Sequence, residues 1–408
     1  MRAWANLYPW DVAGDPAAAD RIAGLGLAGV TLAAAYHSVR AVTPFHPRHR
    51  IVTRDAAVYY RADPANWRAS RLRPARLRPA VARRAGSFER AAAVLRDRGL
   101  RVTAWAVITH NDRLGAAVPS AAVRNAFGDG YPWALCPASP AVREYATTLA
   151  GEIAALPEAD AIELEACGWY GIEHLSAHDK TAGVAAAAQA QWLLSVCFCA
   201  ACRPEYAAAG ADPAWLAACV RAAVDAPPGA GGPGAAQAGP PPPAAAPPAA
   251  APPGEAALSE EAARVLLAVR AALASRFQRE VIAAARAAAP GKPVYVHAHP
   301  DPRATGANPG CEPAALAGAT GIVLSCWPSG LARAAPALVS AAAETVPPGT
   351  VIAASLLAVA GLGGDPATLP AQAAAVRAAG ATELRLYHAG LAAAADLAAI
   401  GSLCSASA

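Results

Sequence analysis

The chain has 408 residues, 55% of them apolar and 16% charged, with a net charge of +4. That length exceeds an average domain but suits one α/β barrel with insertions, and no apolar run reaches the ~18 residues that a membrane span requires. Arginine carries almost all the positive charge, since Lys180 and Lys292 are the only lysines. The opening MRAWANLYPWDVAGD contains no apolar stretch of signal-peptide length, and nine cysteines are an odd number in a large chain; both point to a soluble, cytoplasmic protein with mostly free thiols.

A strand-then-helix rhythm runs along the chain, the pattern of parallel βα units. The first two strands are RAWANLY (2–8) and GVTLAAAY (29–36). The basic stretch RADPANWRASRLRPARLRPAVARRAG (61–86) is broken by prolines. It reads as a solvated loop rather than a phosphate-tracking helix, so neither nucleic acid nor a membrane is expected as a partner. A helical pattern, SFERAAAVLRDRG (87–99), leads through Gly99 into the third strand, RVTAWAVIT (101–109), with the glycine as its C-cap. A second helical pattern, PAVREYATTLAGEIAALP (140–157), precedes the fourth strand, AIELEA (161–166).

Residues 225–257, rich in Pro, Ala and Gly, have no periodicity and read as a disordered insertion between helices at roughly 212–224 and 258–289. Four more strands follow: PVYVHAH (293–299), GIVLSCW (321–327), VIAASLLA (351–358) and ELRLYH (383–388). Strands on both sides of the insertion are needed to reach eight. The expectation is therefore a single (β/α)8 TIM barrel over residues 1–408 with a disordered insertion between strands 4 and 5, each strand being followed by an alanine-rich helical pattern.

In such a barrel chemistry belongs at the C-terminal strand ends, and all nine histidines fall there: His37, His46 and His49 after strand 2, His110 after strand 3, His174 and His178 after strand 4, His297 and His299 on strand 5, and His388 on strand 8. Tyr8, Trp10, Tyr36, Trp169, Trp327 and Tyr387 follow the same rule. Ring faces beside polar groups suit the C–H faces and hydroxyls of sugars, which makes Asn6, Tyr36, His37, His110, Asn111, Trp169, His297, His299, Trp327, Tyr387 and His388 candidate substrate contacts.

Strand alternation turns Glu163, Glu165 and Cys167 into the barrel and leaves Ile162 and Leu164 for the helices. Glu163 lies deeper and Glu165 nearer the mouth. The same parity brings Arg385 inward, the only strand-borne cation at comparable depth, and a buried carboxylate needs such a partner; a Glu163–Arg385 pair is expected within the substrate site. Glu165 is the candidate catalytic carboxylate, acting with its charge as nucleophile or base. Two carboxyls must flank a glycosidic bond from different directions, whereas the two glutamates share one wall. The partner of Glu165 is therefore sought in Asp301 of HAHPDP first, then Asp179 of SAHDKT, Glu173 and Glu312; Asp301 could equally be a turn residue before Pro302.

The stretches AVTPFHPRHRIVTRDAAVYY, DAIELEACGWYG and CFCAAC give the whole chain outside the insertion a resemblance to barrel proteins related to glycoside hydrolases. The resemblance implies carboxylate-based hydrolysis of a glycosidic bond, a small-molecule or oligosaccharide substrate, no cofactor, and a catalytic carboxylate ending strand 4, which maps onto Glu165. In families whose nucleophile ends strand 4 that residue is usually Asp, and VIAASLLAVAGLGGDP lacks the strand-7 carboxylate of others. Two further readings remain open: a metal-dependent isomerase or hydrolase using Glu165, His297, His299 and Asp301, and a non-catalytic sugar-binding barrel. No catalytic metal is expected; Cys197, Cys199 and Cys202 have the spacing of structural zinc ligands but show no fourth ligand at a standard interval.

Overall fold

The computed structural model describes residues 1–74, 86–174, 188–225, 258–327 and 335–406. Eight strands carry the architecture: β1 (Arg2–Leu7), β2 (Gly29–Tyr36), β3 (Arg101–Val107), β4 (Ala161–Glu165), β5 (Val294–His297), β6 (Gly321–Ser325), β7 (Val351–Leu357) and β8 (Glu383–Tyr387). Each is parallel to its neighbour in chain order, and β8 returns to β1 with Arg2 opposite Glu383 and Trp4 opposite Arg385. The sheet closes, leaving no parallel edge, as a (β/α)8 TIM barrel.

The strands are apolar because both faces are covered. Outward residues such as Val30, Leu32, Ile162, Leu164, Leu384 and Leu386 are buried in the layer shared with the helices. Inside the barrel a small apolar floor gathers Ala161, Tyr295, Val323 and Ala353. Two strand-start glycines are dictated by close neighbours: a Cβ on Gly29 would stand 2.7 Å from the Trp4 indole nitrogen, and one on Gly321 would stand 2.6 Å from the Val351 carbonyl oxygen.

The helices Pro140–Ala155 and Glu260–Ala288 pack on each other on either side of β4. Small residues allow the approach, with Gly151 facing Ala284 and Ala288. Ser259 caps the long helix by accepting from the Ala262 amide at 3.2 Å. The region from β4 to β5 also holds the helices Ala188–Leu194, Arg203–Ala208 and Pro213–Asp225. The insertion expected at 225–257 lies outside the described residues except for Asp225, which ends the last of these helices. One expectation needs correcting: β5 is not followed by an α-helix, because the link to β6 makes only a short 3-10 turn, Pro313–Leu316.

The start of the basic stretch is tied down rather than freely solvated. Glu152 accepts from the Tyr60 hydroxyl, the Trp67 indole and the Asn66 amide at 2.7, 2.9 and 2.8 Å, and Trp67 is buried; residues 75–85 lie outside the described residues. No described helix is long and apolar enough to cross a membrane.

Beyond Glu165 the strand ends abruptly. Ala166 has φ of 50°, a left-handed conformation that costs a non-glycine residue about 1–3 kcal/mol. It is held by Thr109, whose Oγ1 donates to the Ala166 carbonyl at 2.7 Å, and by the Ala307 carbonyl, which accepts from the Ala166 amide at 2.9 Å. This turn fixes where Glu165 points and stops the alternation.

Candidate active site

The strand ends open into a cavity of about 670 Å³, within the range of small-molecule sites. Asn6, Tyr8, Tyr36, His37, Trp105, Glu163, Glu165, His297, Trp327, Arg385 and Tyr387 line its inner part. Its outer wall is more apolar: Val39, Ala41, Val42 and Ile51 come from the hairpin of strands Val39–Val42 and Ile51–Arg54, and Leu357, Val359 and Leu362 from the end of β7.

A chain of charges runs under the cavity. Arg385 Nε donates to Glu163 Oε2 at 2.7 Å and its Nη1 to Glu383 Oε2 at 3.2 Å, while Arg2 Nη2 donates to Glu383 Oε1 at 3.0 Å. The Arg385 guanidinium lies between the Trp4 and Tyr295 rings, 4.8 and 5.0 Å from their centroids. On the other side, His297 Nε2 shares a 3.0 Å hydrogen bond with Glu163 Oε1. Burial alone would push the Glu163 pKa up, but Arg385 and His297 together outweigh it and hold the carboxylate at about 2. Glu163 is thus ionised, fully buried and engaged on both oxygens.

Glu165 is treated oppositely. Among the described residues no cation pairs with it, and its one hydrogen bond is from the Trp105 indole Nε1 to Oε2 at 2.8 Å. Burial raises its pKa, and the charge of Glu163 adds to the rise, while His297 and Trp105 offset part of it. Two carboxyls whose surroundings push their pKa values apart are the arrangement from which acid and base roles are assigned. Here burial shifts Glu165 toward its protonated form while Glu163 stays ionised.

Around Glu165 the phenols of Tyr8, Tyr36 and Tyr387 are buried and held neutral, burial raising the pKa of each. Tyr8 stacks on Trp10 at 4.5 Å, and Tyr387 meets Trp327 at 4.7 Å. His37 stacks on His110 at 4.1 Å and His110 on Tyr170 at 4.0 Å. Burial lowers the His37 pKa to about 4 and depresses that of His110 further, so both rings are neutral near pH 7. Asn6 is 3% exposed, and its Oδ1 finds no partner among the described residues.

Several expected contacts stand elsewhere. His110 lies behind His37, and Asn111 caps the helix Asp112–Ala117 by accepting from the Leu114 amide at 3.0 Å. Trp169 is buried, donates from Nε1 to the Arg270 carbonyl at 3.1 Å and carries the Arg270 guanidinium 4.6 Å from its ring. Cys167 is buried outside the cavity lining. Trp169 and Cys167 were misplaced for the same reason, since both follow the turn at Ala166, where strand parity ceases to apply. His388 is completely buried against Tyr8, at 4.4 Å. Asp301 is exposed, and its Oδ1 accepts from the Arg303 amide at 2.8 Å; it is the turn residue, not a second wall of the cavity. His299 accepts from the Asp301 amide in the same turn, so Glu165, His297, His299 and Asp301 do not converge on one ion. Glu173 is bonded to Thr305 at 3.1 Å and Glu312 to Ser275 at 2.8 Å, and neither lines the cavity. Asp179 and His178 lie outside the described residues.

Sequence reasoning missed Trp105, although parity on β3 was available and β3 pairs with β4 so that Trp105 is opposite Glu163. It also missed Cys136, whose thiol joins those of Cys197, Cys199 and Cys202 in a group lying within 4.8 Å of one another. Because Cys136 sits 61 residues before Cys197, no spacing rule would have found it.

No family model matches the sequence, and no curated protein matches it. Solved structures do match, as folds. The PgaB (BpsB) glycoside hydrolase domain from Bordetella bronchiseptica superposes with a TM-score of 0.58 at 16% identity, over 99% of each chain. Alpha-L-fucosidase isoenzyme 2 from Paenibacillus thiaminolyticus gives 0.57 at 13% identity, all of this chain covering 49% of that one. The catalytic domain of the beta-amylase from Paenibacillus polymyxa gives 0.55 at 11% identity, over 100% of this chain and 98% of that chain. The chain therefore has the barrel fold found in these glycoside hydrolases.

Proposed function

We propose that this barrel acts on carbohydrates as a glycosidase-type hydrolase, with Glu165 delivering the proton to the leaving oxygen of a glycosidic bond. The observation that carries the reading is the divergence of two glutamates on one strand: Glu163 is ionised by Arg385 and His297, whereas burial raises the pKa of Glu165. A buried carboxyl with a raised pKa, lining an aromatic cavity, is suited to general acid catalysis. The glycoside hydrolase folds that superpose on the chain support the same class.

Within that reading the cavity divides by chemistry. Asn6 Oδ1, an unused acceptor, and the neutral phenols of Tyr36 and Tyr387 face the sugar whose bond is cleaved, and Trp327 and Tyr387 provide ring faces for it. The hairpin residues Val42 and Ile51 with Leu362 take the leaving group, which is therefore expected to be apolar. Glu163 is a positioning residue: it orients His297 and sets the field at Glu165. Cleavage of a panel of aryl and alkyl glycosides by the wild-type protein tests this class, and no turnover of any member, with or without added divalent metal, contradicts it.

One observation favours a second reading, a sugar-binding barrel without turnover. The carboxylates lining the cavity among the described residues, Glu163 and Glu165, stand on the same wall, and glycosidic cleavage between two carboxyls needs them on different sides. Binding of the panel sugars by calorimetry without hydrolysis selects that reading.

A further inference from the structure

We infer that Cys136, Cys197, Cys199 and Cys202 form a structural zinc site whose negative charge is balanced by Arg270. The sulfur positions carry the argument. Cys136 Sγ lies 3.5 Å from Cys202, 3.8 Å from Cys197 and 3.6 Å from Cys199, and Cys199 lies 3.7 Å from Cys202. Four sulfurs at a Zn–S length of about 2.3 Å in tetrahedral geometry are separated by about 3.8 Å. A disulfide would require about 2.05 Å. The group is fully thiol, without the carboxylate or open position of a catalytic zinc, and is buried, which identifies a closed structural site.

The backbone is arranged for thiolates. The amides of Arg124 and Cys199 both donate to Cys197 Sγ, at 3.4 and 3.5 Å, and hydrogen bonds of this kind to charged sulfur orient metal ligands.

Arg270 supplies the independent observation. It is 0% exposed on the long helix Glu260–Ala288; Nη1 donates to the Ser195 carbonyl at 2.7 Å, while Nε and Nη2 find no partner among the described residues. No carboxylate pairs with it among the described residues; it sits over the Trp169 ring at 4.6 Å, and Ser195, whose carbonyl it holds, is two residues before Cys197. A buried guanidinium with no anionic partner is unfavourable. A zinc tetrathiolate carries two net negative charges, and Arg270 beside it leaves one. A bound divalent ion lets all four thiols ionise together and gives the buried guanidinium a counter-charge.

The site would bolt two βα units together. Cys136 directly follows the strand Gly130–Leu135, in which Ala134 bridges to His110 and the Leu135 amide donates to the Thr109 carbonyl at 2.8 Å. The other three thiols belong to the region after β4, and Arg270 belongs to the helix before β5. The clamp thus holds the segment behind the His37–His110 stack without contributing a ligand to the cavity.

The test is metal analysis of the full chain purified without chelators. About one zinc per chain is expected, released in step with mercurial titration of four thiols. Cys136→Ser should fall to below about 0.2 zinc per chain, whereas Cys404→Ser, a buried cysteine of the last helix, should keep its zinc. Arg270→Met should lose zinc to a competing chelator at least about 10-fold faster, the range for outer-shell partners. Wild-type protein that carries no zinc after growth in zinc-supplemented medium, that carries iron instead, or whose four cysteines are recovered as two disulfides overturns the proposal. So does full zinc retention by Cys136→Ser. The wild-type measurements decide the matter even if a variant fails to fold.

Discussion

Arg385 and Glu163 meet across the barrel from β8 and β4, which stand opposite each other in the closed sheet, with Nε 2.7 Å from Oε2. Neither side chain is more than 1% exposed. Glu163→Gln is expected to destabilise the fold, because removing one partner of a buried pair costs about 3–5 kcal/mol. The lower end applies, since Glu383 still engages Arg385 at 3.2 Å. The double variant with Arg385→Met should recover part of the loss in urea denaturation; equal stability of Glu163→Gln and wild type would show that the pair contributes nothing.

The same pair predicts an acid limit. Glu163 has its pKa lowered from 4.5 to about 2 in the folded state, so its contribution is fully present above about pH 4.5 and is lost as pH falls toward 2. A shift of that size corresponds to about 3 kcal/mol. The stability gap between wild type and Glu163→Gln should therefore narrow from pH 5 downward, and a gap independent of pH would remove the electrostatic account.

Two tryptophans expected on the rim separate cleanly. Trp169 is core, 2% exposed, and Trp169→Ala should cost about 3–5 kcal/mol of stability. Trp327 lines the cavity with its Nε1 3.2 Å from Ser355 Oγ. Its replacement by Ala should weaken sugar binding at least about 10-fold, consistent with losing a buried aromatic surface, with a smaller change in melting temperature. Reversed outcomes would exchange their assignments.

Ile51 is 60% exposed at the cavity mouth, an arrangement that costs apolar hydration unless a ligand covers it. Ile51→Ser should leave stability within about 0.5 kcal/mol and raise KM for glycosides with apolar leaving groups about 10-fold, from roughly 1.5 kcal/mol of lost burial. KM for glycosides with a hydrophilic leaving group should not move. A uniform effect on both would place the leaving group elsewhere.

How much of this was legible in the sequence follows from what strand periodicity encodes. All eight strands lie where the apolar runs predicted, and alternation alone brought Glu163 and Arg385 together from 222 residues apart, because inward parity and depth are fixed once the barrel closes. Periodicity fails where the strand stops. The left-handed Ala166 took Trp169 and Cys167 out of register, and the turn capped by Asp301 was indistinguishable in sequence from a strand extension toward the cavity. The upward pKa shift of Glu165 was equally hidden, since it depends on burial and on what its neighbours leave uncompensated, neither of which its own strand records. Cys136 reaches its cluster only through the hairpin Ala122–Arg124 and Gly130–Leu135, a tertiary contact with no local signal.

The most direct test is the leaving-group dependence of Glu165→Gln. If Glu165 is the acid, the variant folds, because the glutamine removes the cost that a raised folded pKa imposes as pH rises above the ordinary carboxylate range. It then loses at least about 100-fold in kcat/KM on alkyl glycosides, whose leaving oxygen must be protonated, and little on dinitrophenyl glycosides, which depart unaided. Equal loss on both substrates in a folded variant, or no loss on either, would contradict Glu165 as the proton donor.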